Sequence, residues 1–309
     1  MAEPAAGNSD SGVDVTLVVG ATGDLGGRVV RELLAAGKSV RAVVRDPSHA
    51  SGLADKGVEV VRGDLLEPES LEAALDGVSG LISTATGYTR GGKSNPGVDA
   101  QGNRNLVDAA RRADVGRFVF TSVLSAEKAQ SVEVFWQKKL TEDYLDEQGV
   151  PFVALRPGTL VGGAQDFWAR DLRKGRLTAL GDPDTPHTTV HIDDVARYLA
   201  RAVDEPRALG RRIDIGMERT LASRELAAEF SKLLGREVKL RTIPWPLLSG
   251  LMRVAGVFSA NIRGFRALLA FFGSGQYVAD TTAQAEVFGF VPTVADSLSR
   301  YLTDKELTP

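Results

Sequence analysis

Residues 15–26 read Val-Thr-Leu-Val-Val-Gly-Ala-Thr-Gly-Asp-Leu-Gly. The β-branched and apolar run 15–19 is typical of a buried strand, and a helical pattern of apolar residues begins at Gly26. Gly20, Gly23 and Gly26 lie at the junction of the two. A glycine-rich turn that leads from a strand into a helix exposes backbone N–H groups at the positive end of the helix dipole. The stretch therefore predicts a site for a ligand that carries phosphate.

Each glycine has a predicted role in this loop. Gly20 permits a tight turn, Gly23 lets the backbone approach a pyrophosphate, and Gly26 lets the helix pack closely on the strand. The spacing differs from the usual G-x-G-x-x-G fingerprint, so the strand before it and the helix after it carry the prediction. The alternative is a purely structural turn. The residues of this loop predicted to bind a cofactor are Gly20, Thr22, Gly23, Asp24, Leu25 and Gly26.

The first half of the chain alternates β-like runs with helical patterns. The predicted strands are 15–19, 39–44, 58–62, 80–84, 117–121 and 152–156, and the predicted helices are 26–36, 71–75, 101–113 and 133–147. Such alternation is typical of a parallel sheet covered by helices on both faces. We predict an α/β Rossmann fold, a doubly wound parallel sheet with a smaller C-terminal substrate lobe. The predicted divisions are a disordered tail over 1–13, a dinucleotide-binding domain over 14–160, and a lobe with chain crossings back to the sheet over 161–309.

The composition excludes several classes of protein. Of the 309 residues, 43% are hydrophobic and 25% are charged, which is ordinary for a globular chain. With 37 basic and 40 acidic residues the net charge is −3, which gives no general attraction to nucleic acid. The absence of cysteine excludes disulfides, thiolate metal sites and thiol nucleophiles, and fits a reducing compartment. No metal site and a cytoplasmic location are predicted.

Neither terminal region of the chain predicts a membrane segment. The first residues lack the basic and apolar regions of a signal peptide. The most apolar late stretch, 243–272, is interrupted by Arg253, Arg263 and Arg266, so no membrane span is predicted. The pattern over 251–272 predicts an amphipathic helix, for which core packing or a homodimer contact is favoured over a membrane contact.

The tip of the second predicted strand indicates the cofactor. An acidic residue there would bind the ribose hydroxyls of NAD, whereas Arg45 suits the 2′-phosphate of NADP by charge-assisted pairing. The neighbouring Asp46 leaves NAD(H) as the less favoured alternative, and Arg45 could also be an ordinary surface arginine. Asp64, after the third strand, is predicted beside the adenine, or else as a cap of the next helix. The cofactor site is further predicted to include Leu65, Thr84, Ala85, Thr86 and Pro157, and the residues alone leave Lys138 open between a cofactor contact and a helix-surface lysine.

Several motifs together resemble the atypical short-chain dehydrogenase/reductase superfamily, in its NmrA-like branch. The similar stretches are 20–26, 40–47, 63–65, 105–110, 118–122 and 155–158. The resemblance implies a Rossmann fold, a bound nicotinamide dinucleotide and often a reductase that acts on a carbonyl, a quinone or an activated double bond. It also implies that some relatives bind the dinucleotide without turning it over.

The resemblance also indicates candidate catalytic residues. The lysine of the family's active-site helix matches Lys138, for which the alternative is a surface lysine paired with Glu142. The tyrosine usually found four residues earlier is replaced by Val134. Ser122 is predicted to bind a substrate oxygen at the carboxyl edge of the sheet, or to cap a turn. Tyr88 is a candidate replacement acid, although a lid or surface role is favoured for it.

We therefore predict an NADPH-dependent oxidoreductase that reduces a small, partly apolar acceptor: a quinone, enone, imine or carbonyl. Its partners are expected to be a small-molecule substrate and, in a homodimer, a second copy of the chain. One alternative is a non-catalytic NADP(H)-binding sensor that acts through a protein partner. A further alternative, an epimerase or dehydratase, needs an acid/base pair that the sequence does not identify.

Overall fold

The computed structural model describes residues 14–87, 95–164, 168–257 and 259–307. The predicted tail 1–13 and Tyr88 lie outside these residues. A seven-stranded parallel sheet in the order β10-β6-β5-β4-β1-β2-β3 forms the centre, and β8 pairs with β11 and β7 with β9 in two small parallel sheets. The strands are β1 Val15–Val19, β2 Ser39–Val44, β3 Glu59–Arg62, β4 Val78–Ser83, β5 Arg117–Thr121, β6 Phe152–Pro157, β7 Thr159–Val161, β8 Arg176–Leu180, β9 Thr189–His191, β10 Arg212–Ile215 and β11 Lys239–Ile243.

Helices cover both faces of the central sheet and build the C-terminal region. They are α1 Asp24–Ala35, α2 Ser51–Ala54, α3 Glu69–Leu75, α4 Asn103–Arg112, α5 Glu133–Glu147, α6 Ala169–Leu172, α7 Ile192–Ala202, α8 Ser223–Leu234, α9 Trp245–Gly256, α10 Ala260–Phe272, α11 Thr282–Phe288 and α12 Val294–Asp304. A π-helical turn, Val98–Gly102, leads into α4. None of the described helices is both long enough and apolar enough to cross a membrane.

The core lies on the two faces of the sheet because successive strand residues point in opposite directions. In β1, Val18 joins the cluster under α1 and α7, whereas its neighbour Leu17 joins the cluster under α3, α4 and α5. Both side chains are completely buried. A third cluster fills the C-terminal region, where the Trp168 ring lies 5.6 Å from Phe230 and 5.4 Å from Tyr301.

The predicted α/β Rossmann fold is confirmed. Strands 15–19, 39–44 and 117–121 have the predicted bounds, and the other three differ by at most two residues at either end. The strand order reverses at β1, which pairs with both β2 and β4. Ligands of doubly wound sheets bind beside this point, at the carboxyl ends of the strands.

Two elements from the second half of the chain return to the central sheet. Helix α7 packs on α1, and β10 pairs in parallel with β6. The division of the chain at residue 160 remains a prediction.

Candidate cofactor site and active site

The loop between β1 and α1 has bare backbone where the glycines lie. Gly20 has a φ of +87°, which favours glycine. A Cβ on Gly26 would lie 2.0 Å from the carbonyl oxygen of Gly20, so the first turn of α1 leaves no room for a side chain there. Thr22 and Gly23 are exposed. Gly23 occupies the N-cap position of α1, where no side chain caps the first backbone N–H groups of the helix. These features fit a phosphate group held by backbone N–H donors.

Asp24 uses its carboxylate within the protein. The carboxylate accepts a hydrogen bond from the Ala164 N–H at 2.5 Å and from Arg28 Nε at 3.0 Å. Burial raises the pKa of Asp24, but these two donors outweigh burial and hold the pKa below its ordinary value. The side chain therefore ties the glycine loop to the segment that follows β7. The predicted contact of Asp24 with a cofactor remains a prediction.

The Thr84–Ala85 segment, which follows β4, lies between the glycine loop and Lys138. A Cβ on Gly20 would lie 2.6 Å from Thr84 Oγ1 and 3.1 Å from the Ala85 nitrogen, so the segment packs directly on the loop. On the other side, Lys138 Nζ donates a hydrogen bond to the Ala85 carbonyl oxygen at 3.0 Å. Three groups of predicted site residues therefore meet at one place.

Lys138 is not a surface lysine. It is 8% exposed, and Nζ lies 3.7 Å from Asp99 Oδ1 and 4.9 Å from the centre of the Phe120 ring. The alternative that paired it with Glu142 is wrong, because Glu142 contacts other groups. Burial lowers the pKa of Lys138, and the Asp99 carboxylate opposes this shift only in part.

Asp99 is a buried carboxylate that the sequence analysis did not identify. Its Oδ2 accepts a hydrogen bond from the Gly87 N–H at 2.8 Å and lies 3.4 Å from Thr86 Oγ1. Asn103 Nδ2 donates to the Asp99 carbonyl oxygen at 3.0 Å. Residues 99, 103, 106 and 110 lie on one buried face of the π-helical turn and α4. Two polar residues on an otherwise apolar face were the available signal.

Ser122 donates its hydroxyl hydrogen to Glu142. The distance from Ser122 Oγ to Glu142 Oε1 is 2.5 Å, and Glu142 is completely buried. Arg156 binds the same carboxylate through Nε at 2.9 Å and Nη2 at 2.5 Å, and Arg212 Nε lies 3.0 Å from Oε2. The hydroxyl therefore caps no turn, and a hydrogen bond from it to a substrate oxygen requires that the bond to Glu142 break.

An apolar cluster occupies the position where related reductases carry a tyrosine. Val134 packs beside Phe271 and Tyr277, with Phe135 stacked on the Tyr277 ring at 6.1 Å between centroids. The Tyr277 hydroxyl lies 3.4 Å from the Pro157 carbonyl oxygen. Burial raises the pKa of Tyr277, so this phenol is a poor replacement acid near neutral pH.

Arg45 extends from the end of β2 and is exposed, whereas Asp46 is used locally. The Asp46 carboxylate accepts hydrogen bonds from the Ser48 N–H at 2.9 Å and from the Ser48 hydroxyl at 2.7 Å. It therefore caps the short helical turn Pro47–His49. This arrangement leaves Arg45 as the better candidate at the strand tip to bind a 2′-phosphate.

We expect Arg45→Ala to weaken NADPH binding by about tenfold to a hundredfold, because a hydrogen bond to a charged group contributes about 1.5–3 kcal/mol. NADH affinity should change little. Titrations read by nicotinamide fluorescence measure both affinities, and Arg31→Ala, an exposed arginine on α1, serves as the control. If the unmodified protein binds NADH as tightly as NADPH, the assignment of Arg45 is wrong.

The remaining predicted cofactor residues lie at the carboxyl ends of strands. Asp64 Oδ1 accepts a hydrogen bond from the Leu66 N–H at 2.9 Å, so its carboxylate forms a local turn. Leu65 is buried, and its carbonyl oxygen accepts a hydrogen bond from Asn105 Nδ2 at 2.7 Å. Pro157 ends β6, and its carbonyl oxygen accepts a hydrogen bond from the Leu124 N–H at 3.1 Å.

Unpartnered polar atoms also mark this edge of the sheet. Ser83 Oγ at the end of β4 and Thr121 Oγ1 at the end of β5 are buried without a hydrogen-bond partner among the described residues. A buried polar group without a partner costs about 1–3 kcal/mol, so such groups commonly mark a place where a ligand binds. Together with the bare glycine loop, they fit a dinucleotide.

His191, Asp193 and Asp304 lie close enough together to suggest a metal site. Arg28 and Arg31, however, contact the Asp193 carboxylate, and His191 Nδ1 accepts a hydrogen bond from the Asp193 N–H at 3.3 Å. Positive charge beside the group disfavours a cation. The cluster therefore joins α7 to α1 and α12, and the absence of a metal site remains a prediction.

The parallel sheet, the glycine loop at its reversal point and the buried lysine characterise dinucleotide-binding α/β proteins of the Rossmann type. The model of the NmrA-like family matches residues 13–287. The chain therefore belongs to the NmrA-like family, and the resemblance to atypical short-chain reductases is confirmed.

Curated relatives of the chain carry different descriptions. The chain is 27% identical over 271 residues to the photosystem II assembly factor Ycf39 of Trieres chinensis. The aligned region covers 88% of this chain and 81% of that protein. It is 28% identical to quinone oxidoreductase 2 of Escherichia coli, over 73% of this chain and 77% of that one. The crystal structure of the Citrobacter sp. triphenylmethane reductase with NADP(H) superimposes with a TM-score of 0.75 at 24% identity, covering 93% of this chain and 100% of that chain.

Proposed function

We propose that this protein is an NADPH-dependent oxidoreductase that reduces a small, partly apolar acceptor. The observation that carries the proposal is the Thr84–Ala85 segment, which packs on the glycine loop and accepts a hydrogen bond from the buried Lys138. Burying a charge is costly. The burial of Lys138 at 3.7 Å from a carboxylate, in a family of dinucleotide-binding proteins, therefore favours a functional role over a purely stabilising one. The similarity to quinone oxidoreductase 2 supports the same function.

Lys138 is proposed to hold the hydroxyls of the nicotinamide ribose and to stabilise negative charge on the acceptor. Its ammonium group has three N–H donors, of which one is used by Ala85 and one points toward Asp99. A fixed positive charge in a site of low dielectric stabilises a developing anion more strongly than it would in water. Asp99 positions the lysine and, through Gly87, the loop that follows β4.

Bound NADPH would supply the hydride. The apolar cluster around Val134 offers no proton donor, because the pKa of Tyr277 is raised by burial. The proposal is therefore that water supplies the proton that the acceptor takes up after the hydride. This favours quinones, enones and imines over simple ketones, because their reduction depends less on a positioned acid.

Lys138→Met should lower kcat/KM for NADPH-dependent reduction of a quinone by about tenfold to a hundredfold, because the cofactor and the acceptor lose a positioning group. The measurement is the steady-state decrease of nicotinamide absorbance with a panel of quinones and enones. Lys139→Met is the matched control, since Lys139 pairs with Asp143 at the side of the same helix. The control should retain full activity.

Three outcomes separate the alternatives. The proposal is supported if the unmodified protein turns over NADPH with an acceptor, and if this activity falls in Lys138→Met but not in Lys139→Met. NADPH binding without turnover of any acceptor in the panel contradicts the enzyme and favours the sensor. If neither dinucleotide binds, both proposals fail.

The second candidate function is a non-catalytic NADP(H) sensor that acts through a protein partner. Val134 in place of the usual tyrosine favours it, and so does the similarity to a protein described as an assembly factor. A partner that binds the NADPH form and the NADP form of this protein with different affinities would support it.

A further inference from the structure

Helix α9 exposes a row of large apolar side chains. Leu247, Leu251, Val254 and Val257 are 60%, 64%, 69% and 72% exposed. They recur at intervals of three and four residues, so they form one stripe along the helix. The opposite side carries the buried Ser249 and Gly256 and faces the protein. Single exposed apolar residues are common on protein surfaces, but a continuous stripe marks an interaction surface.

The charges of this segment all have one sign. Between residues 238 and 279 the chain carries Lys239, Arg241, Arg253, Arg263 and Arg266 and has no aspartate or glutamate. The whole chain, in contrast, has more acidic than basic residues, 40 against 37. Arg253 is exposed next to Val254, at the flank of the apolar stripe. An apolar stripe with an arginine at its flank, in a segment that has only basic charges, is typical of a helix that lies in the surface of an anionic membrane.

The helix pair α9 and α10 is held on the carboxyl edge of the sheet. Arg263 Nη1 of α10 donates a hydrogen bond to the Gly256 carbonyl oxygen at the end of α9, at 2.7 Å. Phe271 of α10 packs with Val123 and Leu124, which follow Ser122. The buried side of the pair is thus used for contacts within the protein, and the stripe on α9 is left for a partner.

We infer that the α9 stripe docks on the surface of an anionic lipid bilayer. The four apolar side chains enter the region between headgroups and acyl chains, and Arg253 at the flank of the stripe pairs with a lipid phosphate. A second copy of this chain fits the stripe less well. In a symmetric dimer the same patch meets itself, so the basic residues of the two copies would repel each other. This inference goes beyond the proposed function and does not depend on it.

The test is co-sedimentation of the full chain with vesicles. We expect binding to vesicles of phosphatidylglycerol and phosphatidylcholine in equal parts, and little binding to phosphatidylcholine alone. Raising the NaCl concentration from about 0.05 M to about 0.5 M should weaken binding, because the Debye length becomes shorter. The double variant Leu251→Glu/Val254→Glu should lower the partition coefficient by at least about tenfold, since it places two carboxylates in the stripe.

Two further variants make the test specific. Leu209→Glu is the matched control, because Leu209 is 44% exposed and precedes Gly210, whose N–H donates to the first residue of β6, at the opposite edge of the sheet. It should bind vesicles like the unmodified protein. Arg253→Gln should reduce binding to the anionic vesicles only. Circular dichroism on the same samples establishes that each variant is folded, and this measurement does not depend on whether the protein binds the dinucleotide.

Three results would overturn the inference. The first is that the unmodified protein binds neither kind of vesicle. The second is that the double variant binds vesicles as well as the unmodified protein does. The third result is a dimer in size-exclusion chromatography that the double variant dissociates, without lipid binding by either, which assigns the stripe to a second copy of the chain.

Discussion

Gly26→Ala is expected to weaken NADPH binding by at least about a hundredfold, because a misplaced binding loop loses several backbone hydrogen bonds at once. The added Cβ would lie 2.0 Å from the Gly20 carbonyl oxygen and 2.8 Å from Thr84 Oγ1. Both neighbours belong to the proposed cofactor site, and the nearer one is backbone that cannot rotate away. The clash should therefore move the glycine loop and also lower the free energy of unfolding by about 1–3 kcal/mol.

Gly27→Ala, one residue further along α1, provides the matched control. Its Cβ would lie 3.5 Å from the nearest atom, the Ala21 carbonyl oxygen, which is an ordinary contact. Alanine in a helix is favoured over glycine by about 0.8–1 kcal/mol, so this variant should be as stable as the unmodified protein or more stable. Fluorescence titration with NADPH and urea denaturation measure the two effects. Equal NADPH affinity of the two variants would contradict the assigned role of Gly26.

Glu142→Ala is expected to lower the free energy of unfolding by about 3–5 kcal/mol, the usual cost of removing one partner from a buried ion pair. The carboxylate is completely buried and binds Arg156, Arg212 and the Ser122 hydroxyl. Its removal leaves the Arg156 guanidinium, itself largely buried, with the exposed Glu127 as its remaining ion pair among the described residues. Urea denaturation followed by circular dichroism measures the change.

Asp143→Ala separates this effect from a general effect of charge on α5. Asp143 is partly exposed and pairs with Lys139 one turn before it on the helix. A surface pair of this kind contributes about 0–1 kcal/mol, so the control should unfold at nearly the same urea concentration as the unmodified protein. Losses of similar size in the two variants would show that the network around Glu142 does not stabilise the fold.

Local patterns in the chain were enough to predict the architecture. The strand 15–19, the three glycines and the helix after them depend on interactions within a dozen residues, and the structure has them where they were expected. The same is true of α5, whose bounds 133–147 were predicted from spacing. Periodicity of 2 or 3.6 residues and the special backbone of glycine act locally, so they are visible in a single sequence.

The helix over 251–272 shows where local patterns reach their limit. The pattern predicted one amphipathic helix, with core packing or a homodimer contact favoured for its apolar residues, whereas the structure has two helices, α9 and α10. The structure places the stripe Leu247, Leu251, Val254 and Val257 outward. Periodicity shows that a helix has an apolar side, but the rest of the molecule determines which side is covered.

Partners of buried charges were equally out of reach. Glu142 lies four residues from Lys138, an ordinary helical pair, yet its partners Ser122, Arg156 and Arg212 come from 20, 14 and 70 residues away. Lys138 instead points to Ala85 and Asp99. The chain thus encodes its fold class and its dinucleotide loop in short-range patterns that need no knowledge of distant residues. The partner of each buried charge, and the side of α9 left exposed, follow from how distant segments pack, because desolvation and pairing depend on the whole molecule.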